Sequence, residues 1–372
     1  GRPMSSLSTL PKTSFAMVQT GVRQLEGRDI PMPQIDDESA ILQVEACGIC
    51  GSDYEQYEGH LPVPYPSIPG HEPLGKIVAI GDKAAHRWGV DVGDRVAVET
   101  QIACHHCSTC HSGRYQHCGD IRVYSFLPLS LPPGLWGAYS QYMYIDPNSI
   151  VHKMDPELPP EIAVMFNPLG AGFRWAVELP QTKLGDTILI MGPGQRGLAS
   201  VIAAREAGAG TIIVTGLQAD ADKLDLARLY GADHTIDVEN ENAKQRVKEI
   251  TGGKGVDIVV DLTPYATQPV VDAISFARRG GTIVLAGMKG FKEVPGFISD
   301  KVIGKELTIQ GASGVTSSGY RSAIRTIESG RFPLEAMHTH NFKLEEAELA
   351  IKTLARQIPE QESIHSCLLP EH

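Results

Sequence analysis

The segment that most constrains the fold begins at Asp186, where short apolar runs alternate with runs of helical character. Helices are expected over about 197–207 and 220–230. Strands that are apolar throughout and separated by helices are typical of a parallel sheet covered on both faces. The strands predicted on this basis are Thr187–Met191, Thr211–Thr215, Val256–Asp261 and Thr282–Ala286.

A glycine-rich turn, Gly192-Pro193-Gly194-Gln195-Arg196-Gly197, joins the first strand to the first helix. In a G-x-G-x-x-G turn the first glycine permits the tight turn, the second lets the backbone approach a pyrophosphate, and the third lets helix pack on strand. Alone the pattern indicates only a turn, but between a strand and a helix it predicts a Rossmann-type dinucleotide site. The predicted coenzyme-binding residues are Gly192, Gly194, Gln195, Arg196, Gly197 and Gly216.

The coenzyme itself stays open between NAD and NADP. The second strand ends in Gly216-Leu217-Gln218, with neither the acid that grips a ribose 2′-hydroxyl nor a base for a 2′-phosphate. Asp220 is expected at the start of the next helix. Arg196 and Lys223 could reach a 2′-phosphate, although solvated surface charges of this kind are common.

Four of the seven cysteines, spaced C-x2-C-x2-C-x7-C, fall close together in the sequence. Short C-x2-C steps let successive sulfurs converge on one tetrahedral Zn²⁺, and this spacing favours zinc over unrelated thiols or disulfides. A site with four thiolates has no open position, so it is expected to hold a loop over about 100–120 rather than to catalyse a reaction. The predicted structural-zinc ligands are Cys104, Cys107, Cys110 and Cys118.

Residues of about 15–155 read as short strands broken by turns, and two of their segments carry further ligand-type residues. One runs from Cys47 through Cys50 to Asp53, and the other is Gly70-His71-Glu72. Taken alone, Cys47 and Cys50 fit a redox pair, and His71 fits a buried, hydrogen-bonded histidine.

Together these motifs resemble the zinc-containing medium-chain dehydrogenase/reductase family, which includes alcohol, sorbitol and threonine dehydrogenases. The resemblance rests on Gly70-His71-Glu72 with Gly75, Gly81 and Ala84, on the four cysteines, and on Gly192–Gly197, and it covers about residues 15–360. It implies an α/β protein in which a GroES-like, β-rich catalytic domain contains an inserted Rossmann domain with a doubly wound parallel sheet. The predicted bounds are 1–167 for the catalytic domain and 168–308 for the Rossmann domain. Residues 309–372 are predicted to return to the catalytic domain.

The resemblance also implies the roles of the site residues. Cys50 and His71 are expected to bind a catalytic zinc, Ser52 to take the proton of the substrate alcohol, and Asp53 to orient the His71 ring. Glu72 corresponds to a glutamate that binds the metal in sorbitol dehydrogenase-like members. Cofactors are therefore two zinc ions per chain, one structural and one catalytic, and NAD or NADP. Cys47 is expected to be a buried thiol near the site.

Two positions depart from the family pattern. Where the family often has a Cys or Glu ligand before a Pro-Leu pair, this chain has Asn167, and a neutral amide is a poor zinc ligand. We therefore expect Glu72 to supply the third bond. Many members also have a proton-relaying histidine three residues after the serine, and here that position is Glu55, which can relay a proton or be simply solvated.

The sequence predicts a zinc-dependent, NAD(P)-linked alcohol or polyol dehydrogenase that interconverts a secondary alcohol and its ketone. One alternative is a zinc-light reductase of the same fold, that is, one in which the catalytic zinc is weakly held or absent, and Asn167 favours it. The other is a non-catalytic nucleotide-binding protein, which the trio Cys50, Ser52 and His71 disfavours. A net charge of −11 argues against nucleic-acid or membrane partners. We expect a cytoplasmic homodimer or homotetramer, in which the strand around Thr282–Ala286 and the segment after it pair across a two-fold axis.

Overall fold

The computed structural model describes residues 9–372, and these divide into two compact units. One unit combines the chain up to Phe166 with His338–His372, and the other is Asn167–Met337. The second unit extends past 308, where the inserted domain is predicted to end. It does so because the helix Ser317–Ser329 packs within it, and Asn167 Nδ2 lies 3.3 Å from the hydroxyl of Tyr320 on that helix. The exact domain bounds stay a prediction.

The first stretch of chain is strand-rich, as its turn-punctuated sequence predicts. Gly75 shows how closely its central strands pair, because a Cβ at that position would lie 2.1 Å from the carbonyl oxygen of Gln43. The strands are β1 Thr13–Gly21, β2 Gln24–Pro31, β3 Ala40–Ile49, β4 Pro73–Ile80, β5 Arg95–Val98, β6 Gln101–Ile102, β7 Arg122–Val123, β8 Tyr142–Ile145 and β9 Val151–Lys153. The helices are α1 Gly51–Tyr57, α2 Asp82–Trp88, α3 Ser108–His111 and α4 Pro160–Ala163.

The second unit contains a six-stranded sheet in which every pair is parallel, in the order β12-β11-β10-β13-β14-β15. This is the predicted doubly wound sheet. Its strands are β10 Thr187–Met191, β11 Thr211–Gly216, β12 His234–Asp237, β13 Val256–Asp261, β14 Ala277–Leu285 and β15 Thr308–Gly311. Its helices are α5 Phe166–Phe173, α6 Gln195–Glu206, α7 Ala221–Tyr230, α8 Ala243–Thr251, α9 Gln268–Phe276, α10 Ser299–Lys305 and α11 Ser317–Ser329.

The expected pairing strand is not at the edge of this sheet. The strand predicted at Thr282–Ala286 belongs to β14, which is already bonded to β13 on one side and β15 on the other. The backbone groups of β14 are therefore used within the chain, and the edge of the sheet is β15. The strand Thr282–Ala286 is therefore not free to pair with a second chain, whereas pairing through the segment after it stays a prediction.

The chain returns to the first unit with β16 His338–Phe342, α12 Ala347–Leu354 and β17 His365–Leu368. These strands complete a seven-stranded sheet in which β16, β17, β3, β4, β5 and β9 follow one another and β8 pairs with β3. Buried aliphatic side chains of β3 and β4 form the core of this unit. Across residues 9–372, no helix combines the length and the apolar character that a membrane crossing requires.

Candidate functional site

Cys50 stands at the junction of β3 and α1, which fixes its side chain beside the first turn of that helix. Its backbone N–H donates to Oδ2 of Asp53 at 2.8 Å, so this carboxylate caps the helix start. Ser52 lies on the same turn. The end of a buried strand and a capped helical turn thus hold three of the predicted site residues in fixed positions.

His71 and Glu72 precede β4, and contacts at Gly70 and at Thr100 fix the backbone on which they stand. Gly70 has φ +107°, and a Cβ there would lie 2.7 Å from the backbone nitrogen of Tyr139. A residue with a side chain is therefore excluded at position 70 both by conformation and by contact. Thr100 Oγ1 donates to the carbonyl of His71 at 2.7 Å, which anchors the next peptide.

The predicted ligands converge on one point. Cys50 Sγ lies 3.2 Å from Nε2 of His71, and Oε2 of Glu72 lies 3.6 Å from the same nitrogen. Ser52 Oγ lies 2.9 Å from the Cys50 sulfur and 3.3 Å from Nε2. Asp53 lies on the other side of the imidazole, with Oδ1 3.6 Å from Nδ1. Cys50, Asp53, His71 and Glu72 are all buried.

This donor set fits zinc. With Zn–S near 2.3 Å and Zn–N or Zn–O near 2.1 Å, a tetrahedral site places sulfur about 3.6 Å from nitrogen and nitrogen about 3.4 Å from oxygen. The observed separations of 3.2 Å and 3.6 Å are close to both values. One thiolate, one imidazole and one carboxylate are typical zinc ligands, and three of them leave a fourth position open for substrate.

The electrostatics of the cluster favour a cation. Burial alone would lower the pKa of His71, but the charges of Cys50 and Asp53 outweigh it and raise the pKa well above its usual value. The site therefore concentrates negative charge that either a proton on the imidazole or a metal ion has to balance. A divalent ion bound between Cys50, His71 and Glu72 would take the place of that proton.

Two neighbouring residues shape the cluster without joining it. A Cβ on Gly48 would lie 2.5 Å from Oε1 of Glu72, so the absence of a side chain at 48 makes room for this carboxylate. Cys47 is buried, and burial, followed by the charges of Asp53 and Glu72, raises the pKa of its thiol well above the usual value. Cys47 thus has the properties of the buried neutral thiol that the sequence predicts.

Sequence reasoning missed Tyr139. Its ring is fully buried against Gly70, and its hydroxyl lies beside the buried carboxylate of Asp53. Burial, then the charge of Asp53, raises the pKa of Tyr139 well above its usual value. A single tyrosine just before a strand gives no sequence signal for this position, because the contact depends on how the segment packs against the loop before β4.

The remaining predicted positions have partners of their own. Asn167 lies in the second unit, where its Nδ2 donates to the hydroxyl of Tyr320. Glu55 Oε2 lies 2.8 Å from Nδ1 of His60, a partner that the sequence analysis did not identify. The proton relay predicted at Glu55 thus has a histidine beside it, five residues along the chain.

The four cysteines of the loop after β6 also converge, with all sulfurs within 4.8 Å of one another. The sulfurs of Cys104 and Cys110 are 4.0 Å apart, close to the spacing of about 3.8 Å in a tetrathiolate zinc site. Backbone N–H groups point at these sulfurs, and the N–H of Cys110 lowers the pKa of Cys107. Cys118 is the most buried of the four.

The nucleotide loop has the geometry that its glycines predict. Gly192 has φ +99°, which permits the turn after β10. A Cβ on Gly197 would lie 1.9 Å from the carbonyl oxygen of Gly192, so α6 can approach the turn only if residue 197 is glycine. A Cβ on Gly194 would meet nothing within 4 Å, which leaves open space in front of the first turn of α6.

The end of β11 does not distinguish the two coenzymes. Leu217 follows Gly216 and is half exposed. Oδ2 of Asp220 accepts from the Leu217 backbone at 2.9 Å, and Lys223 Nζ lies 3.9 Å from Oδ1 of the same carboxylate. The guanidinium of Arg196 stands 5.8 Å from the centre of the Trp175 ring.

Comparison with known proteins agrees with this geometry. The family profiles that match are an alcohol dehydrogenase GroES-like domain at residues 36–156 and a zinc-binding dehydrogenase at 197–329. A probable alcohol dehydrogenase of Mycobacterium tuberculosis is 44% identical over 95% of this chain and 98% of its own length. The sorbitol dehydrogenase of Bacillus subtilis is 34% identical over 92% and 94%. An alcohol dehydrogenase structure from Thermotoga maritima superposes with a TM-score of 0.87 at 26% identity, covering 96% of this chain and all of that one.

The chain therefore belongs to the zinc-containing medium-chain dehydrogenase/reductase family. The predicted fold, a GroES-like domain with a Rossmann domain, is confirmed. As a member of this family the protein is an oxidoreductase that acts on CH–OH groups.

Proposed function

We propose that the protein is a zinc-dependent, NAD(P)-linked dehydrogenase of secondary alcohols or polyols, with its catalytic zinc bound by Cys50, His71 and Glu72. The observation that carries this proposal is the approach of Cys50 Sγ and Glu72 Oε2 to the same nitrogen of His71, at 3.2 Å and 3.6 Å. The burial of all three side chains supports it, because buried charges of this kind need a compensating ion.

The chemistry then divides between the cofactors and the chain. Bound zinc acidifies a hydroxyl or polarises a carbonyl, and the nicotinamide exchanges the hydride. Ser52 Oγ, next to Cys50 Sγ and His71 Nε2, accepts the proton of the substrate hydroxyl. Asp53 holds the far side of the imidazole and keeps Nε2 directed at the metal position.

The proton that Ser52 accepts needs a route to solvent. We propose that Glu55 and His60 supply its outer part, because Glu55 on α1 and His60 just after this helix have side-chain atoms 2.8 Å apart. His60 is more than half exposed at its side chain and Glu55 about a quarter, so the pair spans from partly buried to solvated positions. This pair would replace the histidine that many family members have at the position of Glu55.

For substrate, we propose a polyol or related secondary alcohol. The sorbitol dehydrogenase similarity and a glutamate as third ligand both favour this class. The coenzyme is NAD or NADP, since the end of β11 favours neither. A homodimer or homotetramer in the cytoplasm remains our proposal, and seven cysteines without a disulfide, four of them at metal-ligand spacing, suit a reducing compartment.

Zinc per chain, measured by elemental analysis of protein purified without chelator or added metal, tests the proposal. Two zinc ions and turnover of secondary alcohols or polyols with NAD or NADP are expected. Cys50→Ala and His71→Ala should each remove one zinc ion and abolish turnover while coenzyme still binds, because the nucleotide loop lies in the other unit. A single zinc ion in active wild-type protein would contradict the catalytic-metal assignment.

A further inference from the structure

A cavity of about 980 Å³ opens at the amino-terminal edge of β13 and β14, and seven of the residues that line it are lysine or arginine. The chain as a whole has a net charge of −11, so a concentration of positive charge at one place is unexpected. The cavity lies entirely within the second unit. Its lining includes Lys244, Lys248, Lys254, Arg279, Lys301 and Lys305.

Three elements bring these cations together. Lys244 and Lys248 are one turn apart on α8, so they share one face of the helix. Arg279 lies at the start of β14. Lys301 and Lys305 are one turn apart on α10. Two helices and one strand, which are far apart in sequence, thus direct positive charge into the same space.

Most of this charge is not neutralised within the chain. Across residues 9–372, the side chains of Lys244, Lys248, Lys254, Arg279 and Lys301 make no hydrogen bond or ion pair, although the Arg279 carbonyl accepts from Arg278. The carboxylate of Asp257 is bonded to Arg278, which also lines the cavity.

Lys305 is the exception, because its Nζ donates to the carbonyl oxygens of Ile274 and Ala277 at 2.7 Å and 2.9 Å. Burial, followed by the charge of Arg279, lowers the pKa of Lys305. Arg279 is thus close enough to Lys305 for the two positive charges to repel each other.

The floor of the cavity is apolar and its walls are open. Val247, Ile274 and Phe276 are buried beneath it. At Gly253 and Gly304 a Cβ would meet nothing within 4 Å, so these walls leave room for a bound molecule. The volume is in the range of small-molecule sites, about 300–1,000 Å³.

We propose that this cavity binds a small anion carrying two or more phosphate groups. In the part of the chain that the structure describes, five cationic side chains without partners surround this open cavity, which matches a ligand with several negative charges, and lysine and arginine are the usual phosphate-binding side chains. The site is separate from the nucleotide loop, since Gly192–Gly197 follows the carboxyl end of β10 whereas the cavity borders the amino ends of parallel β13 and β14.

Inorganic tripolyphosphate, titrated by calorimetry into the zinc-loaded protein in the presence of saturating NADH, tests the proposal. We expect binding of one tripolyphosphate per chain that weakens as salt is added. Lys248→Glu with Lys301→Glu should weaken this binding at least tenfold. The matched control is Lys12→Glu with Lys183→Glu, which changes net charge equally at exposed positions outside the cavity and should bind as the wild type does.

Lys254→Glu, in an exposed turn, provides a second variant if the double variant does not fold, and it should weaken binding at least threefold. The proposal is overturned if tripolyphosphate does not bind, if NADH displaces it, or if the cavity variants bind as tightly as the control. Tighter binding of a polyglutamate peptide than of tripolyphosphate would also overturn it, in favour of an acidic protein partner.

Discussion

At the scale of single residues, the carboxylate of Glu72 occupies space that only a glycine at position 48 leaves free. A Cβ on Gly48 would lie 2.5 Å from Oε1 and 3.1 Å from Cδ of Glu72. The backbone of Gly48 has no left-handed φ, so conformation alone would permit alanine there. The requirement for glycine therefore comes from the contact with Glu72.

Gly48→Ala should displace Glu72 and weaken the catalytic zinc while the four-cysteine zinc stays bound. We expect one of the two zinc ions per chain to be lost and kcat/KM to fall at least about tenfold, the effect of disturbing a ligand's surroundings. Elemental analysis and steady-state kinetics measure both effects. Gly51→Ala is the control, since a Cβ there meets nothing within 4 Å. Full zinc content in Gly48→Ala would count against Glu72 as a ligand.

The choice between Glu72 and Asn167 as third ligand can be decided by a pair of variants. Glu72→Ala should remove the catalytic zinc and reduce kcat/KM by more than about 100-fold, the upper range for outer-shell changes. Asn167→Ala should retain both zinc ions, because its amide already donates to Tyr320. Zinc content measured on both proteins gives the answer, and zinc loss from Asn167→Ala alone would reverse the assignment.

At the scale of elements, the nucleotide loop separates two roles of glycine. Gly194→Ala should leave the unfolding temperature unchanged, because its Cβ meets no protein atom, but should weaken coenzyme binding about tenfold by filling the space before α6. Gly197→Ala should lower the unfolding temperature as well, because its Cβ would lie 1.9 Å from the Gly192 carbonyl oxygen. Calorimetric unfolding and NADH fluorescence titration measure the two effects. Equal unfolding temperatures for both variants would contradict this reasoning.

The four-cysteine loop should contribute to stability rather than to chemistry. Cys107→Ser removes one of four thiolates, so we expect the unfolding temperature to fall by about 5 °C or more. Within the temperature range where the variant stays folded, kcat should change less than about threefold, since the closed site offers no position to substrate. Calorimetry and kinetics at low temperature measure these effects. A variant that is as stable as the wild type but inactive would contradict a purely structural role.

The elements that sequence reasoning predicted well are those defined by local pattern. Strand β10, the glycine turn and α6 follow from an apolar run, three glycines and a helical period within a short segment. The position of β14 inside the sheet does not follow, because it depends on β15 pairing with it from further along the chain. Tyr139 and Gly48 were missed for the same reason, since their importance lies in contacts between segments distant in sequence.

At the scale of the whole molecule, acid sensitivity should come in part from two histidines on the returning strands. Nδ1 of His338 on β16 lies 2.9 Å from Nδ1 of His365 on β17, so the two atoms share one proton. His365 is fully buried, and burial, then the charge of His338, lowers its pKa from 6.5 to about 3. Burial also lowers the pKa of His338, although Asn341 and Glu161 oppose this effect.

The lowered pKa of His365 determines how the free energy of unfolding changes with pH. Above pH 6.5 His365 is neutral in both the folded and the unfolded chain and contributes no pH dependence. As the pH falls from 6.5 toward 3, the unfolded chain binds a proton that the folded chain does not, so the free energy of unfolding decreases. At pH 5 the loss from His365 is about 2 kcal/mol.

Chemical unfolding of the wild type and of His365→Gln at pH 7.5 and pH 5 tests this contribution. The variant should be less stable at pH 7.5, because it loses the shared proton, but its stability should fall by about 2 kcal/mol less on acidification. Zinc loss in acid affects both proteins and cancels in the comparison. His86→Gln, at an exposed position, should keep the wild-type pH dependence. An equal decrease for all three proteins would show that His365 is protonated within the folded chain.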